Sequence, residues 1–258
     1  MSYAISLGTE LIKTKRSAAF WVCLLGSGFI PAIFTLMYSF NADKFVPKMK
    51  IQPWESHFLH GWQAFSAFLL PMFTIIVCSM IVQIEYKNNT WKQVFSSPQS
   101  VGNIFFSKYS TILLMIIFLF VMFNLFMFGS GILANLIHKE YSFLSNGMQL
   151  DLLLKMNLRT FVSLLGIISI QYWLSLRIKN FIVPIAIGLG LLITGLIIMQ
   201  WEHIYKYPYA FPILTFMSMG GQGLKGKLLL NHELNSIGYF ATFTLLAFLD
   251  MRYRKERG

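Results

Sequence analysis

Long uncharged stretches alternate with short charged ones along this chain. Residues 17–42, 61–84, 109–137, 160–176, 180–201, 207–224 and 234–249 contain no Asp, Glu, Lys or Arg. The hydrocarbon core of a bilayer is about 30 Å thick and takes about 20 apolar residues as a helix. The first, second, third and fifth stretches meet that length. Those at 160–176 and 234–249 reach it with tilt, or by snorkelling of Lys155, Arg159 and Asp250 at their ends. Six spans are predicted, at about 17–40, 61–84, 104–136, 156–176, 181–200 and 234–250.

The stretch 207–224 differs from the others. It carries Pro208 and Pro212 early and Gly220, Gly221 and Gly223 late, punctuation that a straight spanning helix does not carry. If it crossed, the basic C-terminal residues would change sides. A re-entrant or interfacial hairpin on the outer side is expected instead. Its backbone must be buried in protein or line a cavity, because lipid offers no hydrogen bonds.

Ahead of the first span, AISLGTELIKTKR (4–16) sets Ala4, Ile5, Leu7, Leu11 and Ile12 roughly on one side and Glu10, Lys13 and Arg16 elsewhere. This predicts an amphipathic helix in the membrane interface. The first span is too long for a cleavable signal and has no small-x-small site before Asp43, so it is read as retained, with a bend at Pro31. Outer loops are expected at 41–60 and 137–151, a polar inner loop at 85–103 and a tight inner turn at RIKN (177–180). With no internal repeat, residues 1–258 form one all-α membrane domain.

Composition agrees: 56% of residues are hydrophobic and only 12% charged, with 25 Phe and 14 Met. The net charge of +11 would point to nucleic acid, but its distribution points to lipid. Twelve of the 21 basic residues, including Lys13, Lys15, Arg16, Lys87, Lys108 and Arg177, fall on segments that share one side if both termini are cytoplasmic. That is the positive-inside pattern, and the terminal MRYRKERG suits anionic headgroups. Cys23 and Cys78 lie inside apolar runs, which predicts neither a disulfide framework nor a metal site.

Catalytic motifs fail on inspection. GQGLKGKL (221–228) nearly matches a phosphate-binding loop, but Leu228 stands where a Mg-binding hydroxyl is needed and no strand precedes it. His232-Glu233 opens like a zinc-protease helix, yet Ser236 holds the second histidine position. Asn88-Asn89-Thr90 is a glycosylation sequon on the expected cytoplasmic side. A membrane enzyme would have to be built on His57, His60 or His203. Within the spans, Asn124 and Gln171 are the main polar side chains, suited to interhelical hydrogen bonds or to a substrate path. Asp151, Lys155 and Arg159 recur every four residues, as an ion-paired face or a charged outer vestibule. Asn124, Lys155 and Arg159 are therefore the candidate path residues.

The segment IEYKNNTWKQVFSSPQS (84–100) holds more than a connector needs. Glu85 closes the second span, Asn89 or Thr90 can cap a short helix, and Trp91, Val94 and Phe95 then share one face with Lys92 and Gln93 opposite. Seven residues do not hold a helix alone in water, so an exposed Trp-Val-Phe knob must rest on headgroups or on a partner protein.

Residues 85–98 (EYKNNTWKQVFSSP) followed by FFSK (105–108) resemble the first cytoplasmic loop of ABC-2 type transporter permeases, and more narrowly the lantibiotic-immunity and bacteriocin-export branch. TELIKTKRSAAFW (9–21) is similar to the interfacial elbow helix of that group, and YPYAFP (207–212) to its segment after span 5. The resemblance implies that 85–103 contains a coupling helix seated in a groove of a separate cytosolic ATPase. Trp91, Phe95 and Val94 would be the apolar contacts, Lys87 and Lys92 the flanking charges, and Glu85 and Thr90 the hinge-side and capping residues. It further implies a second permease copy or homologue, no cofactor in this chain with ATP and Mg held by the ATPase, and a bacterial inner-membrane location. Export of an amphiphilic cargo such as an antimicrobial peptide, antibiotic or lipid is the function implied. A non-transporting scaffold or sensor subunit is the alternative, separated from it by whether cargo moves in reconstituted vesicles.

Overall fold

The computed structural model describes residues 3–49, 52–88, 90, 91, 94, 99–219 and 229–253. Among them every regular element is helical: α1 (Tyr3–Lys15), α2 (Ala18–Phe40), α3 (Ala42–Met49), α4 (Pro53–Ala64), α5 (Leu70–Lys87), α6 (Val101–Ile137), α7 (Leu150–Arg177), α8 (Ile182–Ile197), α9 (Phe211–Met219) and α10 (Asn231–Tyr253). A π-turn at Phe65–Leu69 joins α4 to α5, so that Pro53–Lys87 forms one continuous rod. The turn lies just before Pro71, whose ring nitrogen has no proton for the carbonyl one turn back. Five helices are long and apolar enough to cross a membrane: α2, α4–α5, α6, α7 and α10. The fifth predicted span is the shorter α8, 16 residues or about 24 Å at helical rise.

Side-chain pairs give the helix directions. Phe20 stacks on Phe118 and His138 reaches the carbonyl of Ser39, so α2 and α6 run parallel. His57 meets the Met127 carbonyl while Glu85 meets Lys108, so α4–α5 runs opposite to α6. Arg159 pairs with Glu233 and Arg177 with Asp250, so α7 and α10 are parallel. Two parallel neighbours need a return path between them. That path is α8: its first turn accepts a hydrogen bond from Gln171 through the Pro184 carbonyl (2.8 Å), and Gly195 near its far end lies against Tyr207. Glycine matters at Gly188, where a Cβ would stand 2.7 Å from both Ile75 and the Gln171 amide oxygen.

The stretch 41–60 is largely helical rather than a loop. Pro53 sits in the first turn of α4, where its missing N–H costs nothing, and Trp54, His57 and Phe58 fall on one buried face. His57 is fully buried between the Tyr38 hydroxyl (3.0 Å) and the Met127 carbonyl (2.9 Å), and the Trp54 indole donates to the Phe143 carbonyl (2.8 Å). These bonds knit α2, α4, α6 and the 138–143 connection together at the end of the bundle away from α1. Of the stretch 207–224, the described part is a 3₁₀ turn at Pro208–Ala210 and α9; residues 220–224 lie outside the described residues.

Candidate functional site

At the end of the bundle that carries α1, three helices bring charges together out of water. Glu10 comes from α1, Glu85 from the last turns of α5 and Lys108 from the second turn of α6. The Lys108 ammonium lies 2.6 Å from Glu10 Oε2 and 2.7 Å from Glu85 Oε2, with only 2% of its side chain exposed. Lys13 closes the ring, 2.7 Å from Glu10 Oε1 and 3.2 Å from Glu85 Oε1. Each carboxylate thus uses one oxygen per lysine, and the two positive charges balance the two negative ones. Charge-assisted pairs of this kind are strong when complete, and removing one partner from a buried pair costs about 3–5 kcal/mol.

Helix α1 is inverted relative to a helix on a soluble protein. Its buried row is polar, Ser6, Glu10 and Thr14, while Ile5, Leu11 and Ile12 face outward. The spacing of four explains the row, which stacks along one face. Burial pushes the Glu10 carboxyl up, but Lys108 and Lys13 outweigh it and hold it below its ordinary value. Burial likewise pulls Lys13 down, and the Glu10 and Glu85 carboxylates more than reverse this. Ser6 adds a hydrogen bond to Gln99 (3.0 Å), tying α1 to the residues just before α6.

The segment after α5 is anchored in this cluster. The Thr90 amide donates to the Glu85 carbonyl (3.0 Å), and the Val94 amide to the Thr90 carbonyl (2.9 Å). Trp91 is not the exposed knob expected from the sequence: it is 8% exposed, because its ring packs on Tyr86 (5.4 Å between centroids) and lies under the Lys108 ammonium, 6.0 Å away. An aromatic face beside a buried cation is a favourable neighbour. Val94 is half-buried and Lys87 exposed at the end of α5. Asn89, Lys92, Gln93, Phe95 and Pro98 lie outside the described residues. A cavity of about 330 Å³ opens beside the cluster, bordered by Glu10, Lys13, Glu85, Thr90 and Gln99.

The other sequence candidates lie elsewhere and apart from one another. Asn124 meets Asn157 across α6 and α7, its amide donating to Asn157 Oδ1 at 2.7 Å and receiving at 3.4 Å. Lys155 pairs with Asp151 at 2.6 Å on an exposed face. Arg159 does not extend that face. It turns across to α10, where its Nε lies 3.2 Å from Oε1 of the fully buried Glu233. Sequence reasoning missed Glu10, Lys13, Asn157 and Glu233 as partners, and counted Lys108 only among the cytoplasmic-side basic residues and in the FFSK motif. The visible signal for Glu10 was its place between Ser6 and Thr14; for Lys108, its isolation within an otherwise apolar helix.

The chain matches the family described as ABC-2 family transporter protein over residues 6–195, which includes most of α1, the charge cluster and the helices through most of α8. It belongs to that family. No curated protein matches the chain. As an ABC-2 family member with several apolar membrane-length helices, it is a multi-pass membrane protein and a permease subunit of an ABC transporter. Membership in this family implies an ABC ATPase as the usual associate. Among the described residues no group of three or more His, Cys, Asp or Glu side chains could hold a metal ion.

Proposed function

We propose that this permease exports an amphiphilic cargo, such as an antimicrobial peptide, an antibiotic or a lipid, powered by a separate cytosolic ATPase. ATP and Mg are held by that partner, and this chain performs no catalysis of its own. In this reading the end carrying α1 faces the cytoplasm, in keeping with Lys13, Lys15, Arg16, Lys87 and Arg177 at that end. Six crossings follow if α8 is the return path between the parallel α7 and α10, tilted little across a thinned or locally filled bilayer. The membrane is the bacterial inner membrane, and α1 lies in its interface with Ile5, Leu11 and Ile12 toward the acyl chains.

The observation that carries the reading is the family match combined with the fastening of the 85–108 segment. Glu85 and Lys108 hold both ends of the segment at one point, and Thr90, Trp91 and Val94 lie close against it. The ATPase would seat on the outward surface of this segment, with Lys87 at its edge and Lys92 and Phe95 as the contacts the sequence assigns. Trp91 serves from beneath, as part of the platform. Nucleotide state then biases the permease between two conformations by moving the platform. A second permease, identical or homologous, completes the pathway, and the outward apolar residues of α2, from Trp21 to Phe40, are free to meet it or lipid.

The test is a gentle-detergent pull-down of the tagged chain from its native membrane with identification of bound proteins. A soluble P-loop ATPase in near-equal amount is the expected result. Its absence from an intact, folded permease would overturn the coupling role.

A further inference from the structure

The cluster joins an element that a simple coupling loop does not need. If the 85–108 segment only had to be closed upon itself, the pair of Glu85 with Lys108 would suffice. Instead, α1 supplies a second carboxylate to the same ammonium and a second ammonium to the same carboxylate. Ser6 reaches Gln99, and Tyr3 reaches Ser110 (2.7 Å), so α1 grips the segment before α6 and the first turns of α6 along its whole length. Only Arg16 and Ser17 separate α1 from α2, with a bond from the Ser17 amide to the Thr14 carbonyl (3.0 Å) bracing the joint.

We propose that Glu10 and Lys13 are positioning residues that make α1 a clamp on the coupling segment, with Lys108 as the shared cation. A displacement of the segment is then passed to α1 and through the short joint to α2, as well as along α5 and α6. Lys108 is the keystone because its buried ammonium is paired with both carboxylates, 2.6 Å from Glu10 and 2.7 Å from Glu85. The clamp is a statement about this chain's own geometry; its use in coupling rests on the ATPase reading above.

The test separates the two. In a chain whose buried Cys23 and Cys78 are replaced by alanine, cysteines at Ser6 and Gln99 report clamp closure through the rate of a short bis-methanethiosulfonate cross-link in native membranes. Glu10→Gln and Lys108→Gln are each expected to slow cross-linking by at least about fivefold. The double variant should be no slower than the worse single one, the non-additivity of residues that act as a unit. Lys108→Arg, which keeps the charge and can reach both carboxylates, should cross-link near the parent rate. Parent-rate cross-linking in Glu10→Gln, or strictly additive losses in the double variant, would overturn the clamp.

The second arm measures ATP turnover by whatever ATPase co-purifies with the chain, and its response to the permease. Glu10→Gln should retain the ATPase while losing most of the permease-dependent change in turnover. A slowed cross-link with unchanged turnover response would overturn the coupling role of the clamp. If no ATPase co-purifies even with the parent chain, the ATPase reading fails, and the cross-link arm still decides the clamp. A Glu10→Gln chain that fails to fold is replaced by Glu10→Asp, which keeps the charge at a shorter reach and should give an intermediate rate.

Discussion

Arg159 and Glu233 form a buried ion pair between the parallel helices α7 and α10, and the same carboxylate accepts the Leu230 amide at 2.7 Å. One side chain therefore ties two helices and also accepts the backbone amide of Leu230, just ahead of α10. Glu233→Ala removes both bonds at once from a fully buried position. A loss of about 3–5 kcal/mol is expected. The double change Arg159→Leu with Glu233→Leu should be the milder one, because it leaves no buried charge behind. Thermal melting followed by size exclusion in detergent checks the order; a double variant worse than Glu233→Ala would contradict it.

Asn124 and Asn157 give a smaller and more specific effect. Each amide also donates to a carbonyl four residues back on its own helix, so replacing either with leucine leaves its partner half satisfied. About 1 kcal/mol is expected for either single change, with the double change costing little more than one. Cargo export should survive all three. If either single variant abolishes export without lowering the melting temperature, the pair belongs to the transport path rather than to helix packing.

Two glycines on α8 separate packing from helix propensity. A Cβ at Gly188 would collide with Ile75 and Gln171, whereas one at Gly190 meets nothing within 4 Å. Gly188→Ala should destabilise by about 1–3 kcal/mol as an overpacked site. Gly190→Ala should be neutral or stabilising by up to about 1 kcal/mol, since alanine is the better helix former. Equal effects at the two positions would mean that α8 does not sit against α5 as described.

The clamp carries a pH signature. Glu10 is held below its ordinary value of 4.5, so its contribution is complete above that pH and fades as pH falls toward the lower folded value. Lys13 is held above its ordinary 10.5, so its contribution is complete below that pH and fades as pH rises through the higher folded value. Docking of α1 should be flat between these limits. Spin labels at the exposed positions Ile12 and Lys87 report it as an interhelical distance. A distance that broadens near neutral pH would contradict the pairing.

Helix existence was legible where apolar runs were long, because burial in lipid demands length and little else. The ends of α2, α6 and α10 fall within a few residues of the predicted spans. Residues 41–60 were misread, since two prolines and scattered polar residues look like a loop until one sees that Pro53 starts a helix and that Trp54, His57 and Phe58 point one way. The polar segment after Glu85 stood out, but the placement of Trp91 did not. Its burial depends on Tyr86 and on a lysine in another helix, and such long-range pairing leaves no local periodicity. For the same reason Arg159 was placed on a face with Lys155, one turn away, rather than with Glu233 in another helix.

The contact between Glu10 and Lys108 spans 98 positions of sequence. A ribosome adding about 5–20 residues per second reaches Lys108 roughly 5–20 seconds after Glu10. Through that interval the nascent first helix has only Lys13, three residues on, to neutralise its carboxylate. Its apolar outer face can already lie in the interface, but its polar underside has nothing to rest on until the third long helix begins to emerge. In the interfacial placement proposed above, insertion of that helix is the event that seats α1, and a chain truncated before Lys108 lacks the cation that Glu10 and Glu85 share.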